Sequence, residues 1–510
     1  MTTWNNGRRT FLKRATAGTI GGVILDDLFG KLTPVSAAES KLPAGAVRFQ
    51  PEIEPLVRLI EETPRERVIE EIASRVAGNR ISYQELLAAL LLAGVRNIQP
   101  RPSVGFKFHA VLVVNSAHIA SLASPDSDRW LPIFWAIDNF KSSQARDTQE
   151  GDWTMTADDE TSVPAAHQAM QRFRTAMADW DESAADVATA ALSRGHSSNT
   201  IFDAYAEFAA RDFRSIGHKV IYLANAYRTL DSIGWQYSEP VLRSLTYAIL
   251  NHVGEPDPAT SDLAADRDGR INRERIVEIR DPWLDGRDDS AATAELVQAL
   301  RSVSSDDASR LVVEQLNRGV SSRSIYDALF ASAAELTMRQ PAIVPLHAMT
   351  TTNAMHYTFQ TCTSDATRRF LLLQNASFIA QFREAAKGRG KLADLQIDSI
   401  EPSAPWSPDR SVGEIFEKLG TDPQQAASLL LAYLQDGHSA TDAMNHARRL
   451  IFLKGNDSHD YKYSSAVLED FHQVTPAWRN RYLAASLYKM RNASEPTTPL
   501  VGRIQSALPS

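Results

Sequence analysis

Three stretches of the chain place an amide three residues ahead of an imidazole or guanidinium inside an otherwise apolar run. In "FHAVLVVNSAHIA" the pair is Asn115 and His118, in "GHKVIYLANAYRTL" Asn225 and Arg228, and in "LHAMTTTNAMHYT" Asn353 and His356. A fourth stretch, "SSAVLEDFHQV", carries Glu469 with His472. Residues i and i+3 are neighbours on a helix surface, so each pair would stand side by side. Histidines with a carboxylate and amide oxygens form a credible shell for a transition metal: iron, copper, manganese or zinc. The expected ligands are therefore His118, His356, Glu469 and His472, with Asn115, Asn225 and Asn353 holding what the site binds. Arg228 would orient an anionic substrate or an oxygen intermediate. The Glu-x-x-His spacing occurs once, so a carboxylate-bridged di-metal bundle is not expected.

Two further histidines join the candidates. His218 lies seven residues before Asn225 and shares its helix face. His459 stands in "KGNDSHDYKYSSAVLEDFH", crowded by Asp457, Asp460 and Lys462, and is the natural proton carrier near neutral pH. Weighed against this chemistry, a His or Asn on a repeated helix is ordinarily a satisfied core group, and copying a repeat copies its packing. The competing function is a non-catalytic helical-repeat module that binds a ligand or a protein.

Apolar residues recur at three- and four-residue intervals nearly everywhere after residue 50, the period of amphipathic helices. Four such runs end on Gly78, Gly195, Gly319 and Gly437, spaced by 117, 124 and 118 residues. Glycine suits a helix C-terminus because it takes positive φ without a Cβ clash. Ser82, Ser197, Ser321 and Ser439 follow, placed to cap the next helix. The first members of the polar pairs are spaced by 110, 128 and 116 residues, tracking the glycines. The pattern predicts an all-α, four-unit helical repeat array, closed around a central site if the pairs meet. The units are 41–150, 160–253, 291–387 and 412–510, with polar connectors at 254–290 and 388–411.

The 510 residues exceed one ordinary core, and a formal charge of −8 argues against nucleic-acid binding. With Cys362 alone, no intramolecular disulfide or cysteine-rich zinc site can form. A phosphate loop, HExxH and GxSxG are all missing. Residues 1–38 match a twin-arginine (Tat) signal peptide: "RRTFLKRATAGTIGGVIL" precedes the small residues of "PVSAAES". Its apolar run is too short for a membrane span. This leader implies export in the folded state through the twin-arginine translocase to the periplasm; a small-molecule substrate and no permanent membrane span are expected separately.

The histidine-led helices "GHKVIYLANAYRTL" and "LHAMTTTNAMHYTFQT" resemble the questin-oxidase-like family. The resemblance implies an oxidoreductase of oxygenase type, and no residue role is carried over from it.

Overall fold

The computed structural model describes residues 46–101, 107–403, 405–407 and 409–508; the leader at 1–38 lies outside them. The described residues form 22 α-helices and no strand, in agreement with the all-α expectation; Arg287 and Val320 make one isolated bridge. The helices fall into four sets of five in the same order. The first set is α1 (Glu54–Glu62), α2 (Arg65–Ala77), α3 (Tyr83–Asn97), α4 (His109–Leu122) and α5 (Trp130–Glu150). The second is α6 (Ala166–Ala178), α7 (Glu182–Gly195), α8 (Ser198–Ala209), α9 (His218–Ile233) and α10 (Ser238–Leu250). After α11 (Ala264–Arg275) come α12 (Ser290–Leu300), α13 (Ser305–Asn317), α14 (Ser322–Arg339), α15 (Ile343–Thr361) and α16 (Asp365–Lys387). The last set is α17 (Gly413–Leu419), α18 (Pro423–Gln435), α19 (Ala440–Lys454), α20 (Ser458–Asp470) and α21 (Arg479–Ser486), with α22 (Pro499–Ala507) behind it.

Local chemistry sets these boundaries. Ser82, Ser197, Ser321 and Ser439 each cap the third helix of a set. Their side chains accept from the backbone N–H of Glu85, Thr200, Ser324 and Asp442. The glycine stops divide. Gly319 and Gly437 adopt positive φ of 89° and 83°, as expected. Gly78 does not, and Asn79 takes the left-handed turn at φ 52° instead. Gly195 is simply the last residue of α7, followed by an extended His196. The connector at 254–290 is more ordered than its composition suggests. It contains α11, whose Asn272 donates to Gln374 and Ser377 on α16 at 2.7 and 2.9 Å. Polar docking of this kind leaves no apolar period to read.

The fourth helix of each set builds the centre. α4 packs on α9, α9 on α15, α15 on α20, and α20 on α4, so the four close into a ring. They are buried on nearly every side, as helices inside a protein core must be. Their direction follows from the cross-links. The starts of α4 and α9 meet through His109 and His218, and further along both chains Asn115 meets Asn225. α9 and α15 meet at His218–His347 and again at Arg228–Asn353. α15 and α20 meet at the His347 and His459 rings and again at Asn353–Glu469. α20 returns to α4 at His459–His109 and at Ser465–Ser116. The ring is therefore parallel. Parallel neighbours need a long return path, and the other four helices of each set provide it around the outside. The described residues from 47 to 508 accordingly make one body. Among the described residues no helix is long and apolar enough to cross a membrane.

Candidate metal centre and its cavity

At the N-terminal end of the parallel ring, four imidazoles form a layer across the axis. The ring centroids of His109 and His218 are 4.8 Å apart, and those of His218 and His347 4.5 Å. His347 and His459 are 5.1 Å apart, and His459 and His109 4.5 Å. The rings thus follow the order of their helices. His218 Nε2 lies 2.8 Å from His109 Nε2 and 2.9 Å from His347 Nε2. One ligand nitrogen from each of His109, His347 and His459 falls within 4.8 Å of the others, close enough for three buried histidines to hold a metal ion.

The hydrogen bonds at the far sides of the rings fix which nitrogens are available. His218 Nδ1 lies 2.6 Å from the Ser215 carbonyl and His347 Nδ1 2.7 Å from the Ile343 carbonyl. A carbonyl only accepts, so both Nδ1 atoms carry hydrogen and both Nε2 atoms present lone pairs. His459 Nδ1 donates to Asp457 Oδ1 at 2.7 Å, with the same consequence. Ligating histidines are typically oriented by a carbonyl or carboxylate on the other ring nitrogen. The lone pairs of His218 and His347 face each other at a separation that a cation between them would relieve. With metal–nitrogen bonds of ~2.0–2.1 Å, two ligands at right angles stand about 2.9 Å apart. The residues fit a metal.

Protonation points the same way. Burial, reinforced by the Lys462 charge, holds His109 and His218 well below the usual imidazole range. Burial does the same to His347, together with the neighbouring His218 and Lys462. His459 is lowered by burial and Lys462, with Asp457 pulling back. The four rings are thus neutral near pH 7, the form that binds metal. Backbone strain sits beside them. Ser215, Ile216 and Gly217 take φ of 59°, 44° and 82° in succession, and it is this turn that presents the Ser215 carbonyl to His218. A β-branched residue at positive φ is a true outlier, and such strain persists where the surroundings enforce it. Here the enforcement is Thr351 of α15, against which Gly217 packs so closely that a Cβ would overlap its side chain.

One level further along the ring, the polar pairs enclose a small cavity of ≈ 20 Å³ with an open mouth. Asn115, Asn225, Arg228, Asn353, Lys462 and Glu469 line it. Asn115 Nδ2 donates to Asn225 Oδ1, and Asn225 Nδ2 to the Leu112 carbonyl. Arg228 donates to both oxygens of Glu469 at 2.9 and 3.0 Å and to Asn353 Oδ1 at 3.2 Å. Asn353 Nδ2 donates to Glu469 at 2.8 Å and to Asp470 at 2.7 Å. The Glu469 side chain remains 30% exposed and that of Arg228 13%, so this pair forms the mouth. Lys462 is the link to the histidines: it leaves α20 one turn beyond His459, and its charge bears on all four rings.

The structure brings together Asn115, Asn225, Arg228, Asn353 and Glu469 at the cavity, with His218 and His459 in the layer. It does not bring together the expected ligands His118, His356 and His472. His118 is held between the Tyr83 hydroxyl at 2.9 Å and the Ser232 hydroxyl at 3.0 Å. His356 packs edge-on to Tyr326 and Phe330, and burial with the Arg228 charge brings its pKa down to about 4. His472 is exposed beyond the end of α20, which stops at Asp470, so the Glu-x-x-His pair never shares a helix face. Glu469 is engaged by Arg228 rather than grouped with histidines. The histidines close enough to hold a metal ion are instead His109, His347 and His459, of which His109 and His347 were not among the candidates expected from sequence. Their signal is a histidine in the first turns of all four ring helices: at the start of α4 ("HAVLVV") and α9 ("HKVIYL"), one residue into α20 ("HDYKYS") and four residues into α15 ("HAMTTT"). No family model, curated protein or solved structure matches this chain.

Proposed function

We propose that the protein is an exported, metal-dependent oxidoreductase of oxygenase type, with a transition metal held by His109, His347 and His459 and flanked by His218. The observation that carries this is the convergence of one ligand nitrogen from each of three buried histidines within 4.8 Å, two of them, His347 and His459, oriented through Nδ1 by Ile343 and Asp457. A bound iron, copper or manganese ion would supply one-electron chemistry. The protein's own part is exclusion and placement. Four closely packed helices keep bulk water from the layer, and the narrow cavity admits only molecules of a few atoms. That favours small oxygen species over a bulky hydrolytic substrate. Arg228 and Glu469, each fixed by the other, gate the mouth. His459, whose Nδ1–H is held by Asp457, is oriented to present Nε2 to the metal.

The test is to load metal-free protein separately with iron, copper, manganese and zinc, then titrate each form anaerobically with ascorbate and reoxidise with oxygen or peroxide. One of the three redox-active ions should bind in a ratio near one and cycle with a visible spectral change. Binding of zinc alone, or of no ion, contradicts the proposal. Export is tested separately: replacing Arg8 and Arg9 by lysine should retain the protein in the cytoplasm.

A further inference from the structure

Two polar atoms in the cavity lack a partner. Lys462 Nζ is fully buried, its residue only 2% exposed, and makes no hydrogen bond. Asn115 Oδ1 is likewise buried and unbonded, although its Nδ2 is engaged by Asn225. Both residues line the same space. Buried polar groups are ordinarily satisfied, and two left open around one void mark a place where a ligand belongs. The charged and amide side chains otherwise lining the cavity are committed. Arg228 is neutralised by Glu469, and Asn225 and Asn353 have their amides bonded. Burial, with the neighbouring Glu469 charge, keeps the Asp470 carboxyl well above its usual range, so it adds no strong negative field.

The open pair specifies its ligand. Asn115 Oδ1 only accepts, so the ligand must offer an O–H. Lys462 Nζ donates whether protonated or neutral, so the ligand must also offer an oxygen acceptor, and an ammonium prefers that oxygen anionic. Burial pushes the amine down to about 7, so capture of an anion would favour the charged form. The space is limited to a few heavy atoms. We infer that the axial cavity binds a small protic oxyanion, of the bicarbonate or hydroperoxide class, between the Lys462 amine and the Asn115 carbonyl oxygen. This rests on taking the axial cavity as the working site, but not on which metal fills the layer. Bound there, the ligand lies between the mouth and the histidines, where a peroxide would be in position for the proposed chemistry.

The experiment measures binding of bicarbonate, hydrogen peroxide and azide by calorimetry, to metal-free and metal-loaded protein, with metal content determined on the same samples. Azide is anionic but carries no donor. Lys462→Met should weaken all anions by about tenfold or more, and Asn115→Leu should weaken the protic ligand by a similar factor while leaving azide nearly unchanged. Whichever of bicarbonate and peroxide binds more tightly identifies the source. Equal binding to wild type and to a folded Lys462→Met variant overturns the inference. So does an Asn115→Leu variant that treats protic ligand and azide alike, or a wild-type cavity that takes neither. Bicarbonate bound by a protein that takes up no metal would overturn the metal proposal alone; metal bound without any anion would overturn this one alone.

Discussion

Replacing His347 by leucine in the metal-free protein should make the fold less sensitive to acid. In the folded chain His347 is held well below 6.5 by burial and by His218 and Lys462, whereas in the unfolded chain it titrates near 6.5. As pH falls through that value, the unfolded state takes up a proton that the folded state refuses, so the wild type loses stability in acid. From pH 7.0 to pH 5.5 one such histidine costs about 1.3 kcal/mol. Other groups titrate in the same window. His109, His218 and His459 act in the same direction, and Asp470, whose folded carboxyl is raised, acts in the opposite one. All of them remain in the leucine variant, so subtracting one unfolding curve from the other removes most of their contribution. The assay is urea unfolding followed by far-UV circular dichroism, in chelator, at the two pH values. Whatever the gap between the proteins at pH 7.0, it should move by about 1.3 kcal/mol in favour of the variant at pH 5.5. A gap that stays constant would mean that His347 accepts protons in the fold, and the neutral layer would be refuted.

Other substitutions probe the scaffold. Gly217→Ala would force a side chain into positive φ and into Thr351, at a cost of about 3 kcal/mol or more, read as a lower thermal midpoint and weaker metal binding. An unchanged midpoint would show that the turn before α9 is free to adjust. Ser321→Ala removes the hydroxyl that caps α14 and should cost about 1 kcal/mol in chemical unfolding without altering metal content. Lys462→Met relieves an unsatisfied buried amine, so the ligand-free protein should gain about 1–3 kcal/mol in stability. A loss there would mean that Lys462 serves the fold rather than a ligand.

Much of this arrangement was legible in the sequence. The glycine and serine markers located the third helix of each set, and the recurring pairs located the fourth, because both depend on local chemistry. Asn115, Asn225, Asn353 and Glu469 do converge. The error lay in carrying the i+3 histidines inward with them, although the longer Arg228 does reach the cavity. In a ring of four helices the inward face is narrow. A residue displaced by three positions turns toward a neighbour, as His118 does toward Tyr83 and Ser232. His218 was recoverable because seven residues return nearly to the same face. His109 and His347 stand six residues before their asparagines, about 120° around a helix, and only the packing of four helix starts aims them at the axis. The strained Ser215–Gly217 turn left no trace in residue type apart from its glycine.

The most direct measurement is metal content after equilibrium dialysis of three folded proteins: the wild type, a His347→Leu/His459→Leu double variant, and a His118→Gln/His356→Gln/His472→Gln triple variant. The histidine layer predicts near one ion per chain in the wild type and the triple variant, and almost none in the double variant. Metal retained by the double variant, or lost from the triple, would place the ions elsewhere and contradict the axial centre.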